Sequence, residues 1–126
     1  KQLSRHREPP RLKAYKGTRQ SAKAARMTYS IIAQCPQTGA FGGAVGTSSL
    51  AVGNRCLHIR HGVGAVLSQH RTDPRLGEQG LDLLAKGLSA GDVLAELIQT
   101  LGIGWRQLAV LDTHGGRSAI FSVTTV

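Results

Sequence analysis

Several residue types are scarce in this sequence, and each scarcity argues against a class of protein. Of 126 residues only two are cysteines, Cys35 and Cys56, with neither CxxC spacing nor a paired histidine motif, so neither a disulfide framework nor a zinc site is indicated. No stretch approaches the ~20 apolar residues of a membrane-spanning helix, and the first residues lack the apolar centre of a secretory signal. We therefore expect a cytoplasmic protein with reduced thiols, no membrane association and no cofactor.

Acidic residues are also few, but the resulting positive charge is confined to one end. The formal net charge is +9, from 16 lysines and arginines against 7 acidic residues. Residues 1–26 hold nine of the basic residues and one acidic residue, a net of +8, which leaves +1 for residues 27–126. Because residues 1–26 contain few large apolar side chains, we expect a disordered extension that contacts nucleic acid only non-specifically. Residues 27–126 are expected to form one domain.

What the domain does contain is a pattern of short strands around two helices. Runs of apolar and β-favouring residues predict strands at Thr28–Cys35, Phe41–Thr47, Gly62–Gln69, Gln107–Asp112 and Ser118–Val123. Leucines at helical spacing predict helices over Glu78–Lys86 and Gly91–Leu101, which would pack as a pair on one face of the sheet. The order βββααββ predicts an α/β fold of layered sandwich type.

The first predicted hairpin is where chemistry is most expected. Its turn is Pro36-Gln37-Thr38-Gly39, and small residues in the returning strand would let a ligand or another backbone approach closely. That strand ends in a run of hydroxyl side chains, Thr47-Ser48-Ser49. The pattern alone fits ordinary hydroxyls at the end of a strand better than a catalytic role.

Histidines give no metal site in this pattern. His58 and His61 are three residues apart, and in an extended segment they face opposite sides of the strand, so they would not share one metal ion. Gly62 follows closely and argues against a helix that would bring them together.

Several short motifs resemble one family and occur in order along the chain. They are Met27-Thr28-Tyr29-Ser30-Ile31, the Pro36–Gly39 turn, Ala51-Val52-Gly53, Gly62-Val63-Gly64-Ala65-Val66, Asp73-Pro74-Arg75-Leu76-Gly77 with Gly80-Leu81, and Arg106-Gln107-Leu108-Ala109-Val110. Together they resemble the domain-of-unknown-function 1028 family from Met27 to about Ser122. That family resembles the N-terminal nucleophile hydrolases, so the resemblance implies part of a four-layer αββα sandwich.

The resemblance also implies an amide-bond hydrolase with Thr28 as its nucleophile. In such enzymes the first residue of the mature chain attacks an amide carbonyl, and its own α-amino group, which titrates near ~7.7–8, serves as the base. The amide would belong to an unidentified small molecule or peptide. Thr47 and Ser48 would orient the hydroxyl or the amine, and Arg55 would bind substrate charge or stabilise an oxyanion. Each is also consistent with an ordinary structural or surface residue.

Asp73 and Arg75 are part of a motif of the same family. We interpret them mainly as a turn, fixed by Pro74, and an ion pair that holds the start of the helix. A contribution to a substrate pocket is the second interpretation.

Two features of the sequence limit the hydrolase expectation. While residues 1–26 and Met27 are attached, the nitrogen of Thr28 is a peptide nitrogen and cannot act as a base. The resemblance ends near Ser122 although the family domain is longer, so we expect a truncated copy that is inactive as given. Uncovered sheet edges in such a copy would favour a homo-oligomer. The alternative function is therefore a non-catalytic, oligomerising α/β module.

Overall fold

The computed structural model describes residues 28–100, 102–113 and 118–122. The described residues form six strands and three helices: β1 (Tyr29–Gln34), β2 (Phe41–Gly46), α1 (Gly53–Cys56), β3 (Leu57–Arg60), β4 (Gly64–His70), α2 (Pro74–Ala85), α3 (Ala90–Leu97), β5 (Arg106–Asp112) and β6 (Ser118–Ser122). This mixture confirms the predicted α/β fold. The order matches the predicted order except that the short elements α1 and β3 come between the second and third predicted strands. The basic extension, residues 1–26, lies outside the described residues.

The first hairpin forms where the sequence predicts it. Gly39 has a φ of 71°, the left-handed conformation that glycine adopts at little cost, and its N–H donates to the Cys35 carbonyl over 2.8 Å. Strands β1 and β2 then pair antiparallel from Gln34 opposite Phe41 to Tyr29 opposite Gly46. The turn chemistry therefore fixes the register of the whole hairpin.

The remaining strands pair antiparallel in a second sheet, in the order β3-β4-β5-β6. Strand β4 is central, and it pairs with β5 from Gly64 opposite Asp112 to His70 opposite Arg106. Residues 64–68 of β4 are all buried, so this strand is covered on both faces.

Helix α2 starts earlier than predicted. Asp73 is its N-cap, with the side chain accepting the Arg75 N–H over 3.1 Å, and Pro74 occupies the first turn, where its missing N–H costs nothing. The interpretation of Asp73 and Pro74 as a separate turn before a helix starting at Glu78 is therefore wrong. The helix extends over Pro74–Ala85.

Helix α3 is shorter than predicted. It begins after Ser89, whose hydroxyl accepts the Asp92 N–H over 3.2 Å and so caps the first turn. It ends at Leu97 rather than Leu101 because the backbone tightens into i→i−3 hydrogen bonds, one of them from Thr100 N–H to the Leu97 carbonyl at 3.1 Å.

The described residues stack in three layers. Helices α2 and α3 cover one face of the four-stranded sheet, where a core forms from Val66, Leu108 and Val110 of the sheet and Leu76, Leu81, Leu84, Ala90, Val93 and Leu97 of the helices. The β1–β2 hairpin lies against the opposite face, over β3 and β4. No helix in the described part of the chain is long and apolar enough to span a membrane.

Candidate functional site

Thr28 and Thr47 meet at the open end of the first hairpin. The β1–β2 register, continued by one residue beyond Tyr29 and Gly46, puts the two threonines opposite each other. Their Oγ1 atoms are 3.0 Å apart, a hydrogen bond in which either hydroxyl can donate. Thr47 Oγ1 also accepts the Ser49 backbone N–H over 3.2 Å. The Thr28 hydroxyl is therefore held by a neighbour that is itself anchored to the backbone.

These threonines line a cleft of about 850 Å³, which we call the Thr28 cleft. One wall comes from the hairpin and the segment after it, which contribute Thr28, Val45, Thr47 and Ser49. The other walls come from α1 with the residue before it and from the adjacent ends of β4 and β5, which contribute Val52, Arg55, Cys56, Gln69, His70, Thr72 and Gln107. The cleft thus opens where the two sheets meet the first short helix.

A second, more apolar cavity lies on the other side of Thr28. This interlayer groove of about 440 Å³ separates β1 from the inner face of β5 and β6, and Ile32, Leu67, Ala109 and Ile120 line it. Three residues line both cavities: Thr28, Gln69 and Gln107. Thr28 therefore stands at the boundary between a polar cleft and an apolar groove.

Helix α1 presents Arg55 to the Thr28 cleft. The turn is closed by the Arg55 and Cys56 N–H groups, which donate to the Val52 carbonyl over 3.0 and 2.9 Å. It is held from the core side by the buried His58, whose Nε2 is 3.2 Å from the Arg55 carbonyl and whose Nδ1 is 3.0 Å from Glu78 Oε1. The backbone under Arg55 is thus tied to helix α2, while its side chain is exposed.

His70 lines the Thr28 cleft in an uncommon backbone conformation. Its φ is 70°, in the left-handed region that costs a non-glycine residue about 1–2 kcal/mol. Its ring forms a T-shaped pair with Trp105, with centroids 6.5 Å apart, and the Arg71 guanidinium lies 4.6 Å from the centre of the Trp105 ring. Backbone and ring contacts together hold this corner in place.

Gln69 is the other unusual residue of the cleft. Its Nε2 is buried and has no hydrogen-bond partner among the described residues. An unpartnered buried amide normally destabilises the folded state, so folding alone does not explain why a polar side chain stands at this position.

Asp73 and Arg75 form the ion pair predicted at the start of α2. Arg75 donates from Nε to Oδ1 over 2.9 Å and from Nη2 to Oδ2 over 2.8 Å, and Arg106 Nη2 lies 3.5 Å from Oδ2. These hydrogen bonds, mainly from the Arg75 side chain, lower the pKa of Asp73 to about 2. Neither Asp73 nor Arg75 lines the Thr28 cleft.

The structure brings together three of the residues singled out from the sequence: Thr28, Thr47 and Arg55. Ser48 is exposed and does not line the cleft, whereas its neighbour Ser49 does. The catalytic and binding roles of all these residues stay predictions.

Sequence reasoning missed Gln69, His70, Thr72 and Gln107 as residues of the cleft. The pairing of β4 with β5, together with the packing of the hairpin on the sheet, brings them to Thr28. Their one local signal is polarity at the ends of otherwise apolar strands. Within the described ranges, no three His, Cys, Asp or Glu side chains gather closely enough to hold a metal ion.

Comparison with known proteins shows a family relationship. The sequence matches the family of unknown function DUF1028 over residues 28–125. The fold is similar to the crystal structure of a protein from Silicibacter pomeroyi assigned to DUF1028, with a TM-score of 0.72 and 37% sequence identity. The matched region covers 76% of this chain and 45% of that protein, so it corresponds to less than half of the bacterial protein. No curated protein matches the sequence.

Proposed function

The chain belongs to the DUF1028 family of unknown function, and on that premise we propose that it carries an amide-hydrolase site of the N-terminal nucleophile type, with Thr28 as nucleophile. The observation that carries the proposal is the 3.0 Å hydrogen bond between Thr28 Oγ1 and Thr47 Oγ1 at an exposed position in a polar cleft. The family match begins at Thr28, which supports this residue as the start of the functional domain.

In the proposed reaction Thr28 Oγ1 attacks the amide carbonyl carbon, and the hydroxyl proton passes to the α-amino group of Thr28. The carbon–nitrogen bond of the amide then breaks, the leaving amine takes that proton, and the acyl group remains as an ester on Thr28. Water hydrolyses the ester and restores the hydroxyl. The amine must be free, because a peptide nitrogen has no lone pair available for the proton.

Thr47 has a positioning role in this reaction. Its Oγ1 accepts the Ser49 N–H and meets Thr28 Oγ1, so it restricts the rotamer of the nucleophile. Removal of Met27 and the residues before it would complete the site by exposing the α-amino group. Ser48, which does not line the cleft, is assigned no role.

The test compares two forms of the protein, one beginning at Thr28 and one retaining Met27, each carried in a full-length domain of the family, on a panel of chromogenic anilides. We expect hydrolysis only by the first form, and a loss of about 10²-fold or more in kcat/KM for Thr28→Ala. Thr28→Ser, which keeps a hydroxyl, should retain part of the activity. Intact mass and N-terminal sequencing of the native gene product show whether the amine is ever free. Hydrolysis that survives Thr28→Ala would refute the proposal.

A non-catalytic, oligomerising module is the second candidate, and a specific observation favours it. Large apolar side chains are exposed on and near the first hairpin and on β6, namely Tyr29, Ile31, Leu50 and Ile120. Such a module predicts no Thr28-dependent hydrolysis and a sedimentation mass that rises with protein concentration.

A further inference from the structure

We propose that the Thr28 cleft takes an amide substrate that also carries a carboxylate, and that Arg55 binds this carboxylate. The proposal rests on the proposed hydrolase function for the reacting amide, but its recognition step stands on the charges of the cleft alone.

The first argument is the balance of charge in the cleft. Arg55 is the one permanently charged side chain among the described residues that line it, and none of them is Asp or Glu. The other polar groups are hydroxyls, amides, the thiol of Cys56 and the imidazole of His70. A cationic substrate would therefore meet an uncompensated like charge, whereas a carboxylate would be paired.

The second argument is that Arg55 has its guanidinium available. In the described part of the chain, Arg60, Arg75 and Arg106 each pair with a carboxylate. Arg71 instead lies against the Trp105 ring. Among the described residues, the one hydrogen bond of the Arg55 guanidinium is a long contact of 3.5 Å to the Leu50 carbonyl. Its planar donor fork is thus left for a ligand, and the fork matches the two oxygens of a carboxylate.

The third argument is that the base of this side chain is fixed. The Arg55 carbonyl lies 3.2 Å from His58 Nε2, and the Arg55 N–H is bonded to Val52. A guanidinium on an anchored turn loses less conformational freedom on binding than one on a mobile loop. One guanidinium also matches one negative charge, which favours a carboxylate over a phosphate dianion.

The test uses two probes that share an amide and differ in one charge: N-benzoylglycine, which carries a carboxylate, and N-benzoylglycinamide, which does not. Ligand-observed NMR titrations of the full chain give the two dissociation constants. We expect N-benzoylglycine to bind about tenfold more tightly, because a charge-assisted pair contributes roughly this factor.

Two variants assign the preference to its residue. Arg55→Gln should abolish the difference between the probes. Lys86→Gln makes the same change in net charge at an exposed residue that does not line the Thr28 cleft, and it should preserve the difference. Equal binding of both probes to the wild type, binding of neither, or a preference that survives Arg55→Gln would each overturn the proposal.

This outcome is separable from that of the hydrolase test, because binding needs no free α-amino group. If the Thr28-initiated form turned over no amide while N-benzoylglycine still bound in an Arg55-dependent way, the result would support the carboxylate ligand and refute the hydrolase reaction. Equal turnover of neutral and anionic amides, unaffected by Arg55→Gln, would support the hydrolase reaction and refute the role of Arg55 in binding a carboxylate.

Discussion

The two faces of the four-stranded sheet are covered in very different ways. On the helix side, Val66, Val110 and Leu97 are completely buried in a continuous apolar core. On the hairpin side, Ile120 keeps 74% of its surface exposed, and both the Thr28 cleft and the interlayer groove open there. The same strands therefore carry a tightly packed face and an open face.

Strand alternation makes this division possible. In β4, Val66 packs among the helices while its neighbour Leu67 points to the interlayer groove, and Gln69 two residues later lines the cleft. Alternate residues of one strand thus either pack in the core or line the space open to a ligand. We expect substitutions on the helix side to change stability and those on the hairpin side to change binding.

The largest expected effect is the loss of a core leucine. Leu97→Ala should lower the free energy of unfolding by about 2–5 kcal/mol, because a fully buried side chain leaves a cavity. Ile120→Ala on the open face should cost less than about 0.5 kcal/mol. Urea titrations of both variants measure the difference. If the two substitutions lowered the free energy of unfolding by similar amounts, the two faces would not differ in packing as described.

Two glycines, one in α2 and one in β2, test whether the side chain packed against each of them can move away from an added methyl group. A Cβ at Gly77 in α2 would lie 2.1 Å from the ring of His58, which is buried and hydrogen-bonded at both nitrogens. A Cβ at Gly46 in β2 would lie 2.3 Å from the Tyr29 ring, which is 73% exposed and free to rotate away.

We expect Gly77→Ala to cost about 2 kcal/mol from overpacking, even with the better helix propensity of alanine. Gly46→Ala should stay within about 0.5 kcal/mol of the wild type. Thermal unfolding of both variants measures this contrast. A neutral Gly77→Ala would mean that α2 and β3 separate easily.

The smallest expected effect concerns the charge at the start of α2. The pKa of Asp73 is lowered from 3.8 to about 2, so its ionised form stabilises the fold above pH ~4, and that contribution is lost as the pH falls through about 2. Solvent around the exposed Arg75 reduces the contribution to about 1–2 kcal/mol.

Asp73→Asn, measured by urea titration between pH 7 and pH 2, should be less stable than the wild type at neutral pH by this amount. The gap should narrow between about pH 4 and pH 2. A gap that stays constant down to pH 2 would show that the carboxylate charge contributes nothing and that only the shape of the cap matters.

Much of the fold follows from local sequence. Runs of β-favouring residues, the Pro36–Gly39 turn and the leucine spacing of α2 and α3 predict five of the six strands and both long helices of the described residues. The elements that were missed, α1 and β3, are four residues each, too short for a period to show. Asp73 and Pro74 were assigned to a turn because a cap and a turn use the same residue types.

Three residues of the cleft, Thr28, Thr47 and Arg55, were named from the sequence. The resemblance implied Thr28, and the β1–β2 register explains why it meets Thr47, since a fixed turn decides which residues lie opposite each other. Ser49 lines the cleft and Ser48 does not, because Val45, Thr47 and Ser49 follow the every-second-residue spacing of an extended chain. His70 and Gln107 come from other strands, and no local pattern encodes the packing of one sheet on another.

The contact between His70 and Trp105 has a practical consequence for spectroscopy. Trp105 is the chain's only tryptophan, so the tryptophan fluorescence of the protein comes from one defined position in the molecule. Its ring touches His70, which lines the Thr28 cleft, and it lies beneath the Arg71 guanidinium. The protein thus carries an intrinsic fluorophore in contact with a residue that lines the cleft. Unlabelled protein can therefore report occupancy of the cleft through the wavelength and intensity of the tryptophan emission.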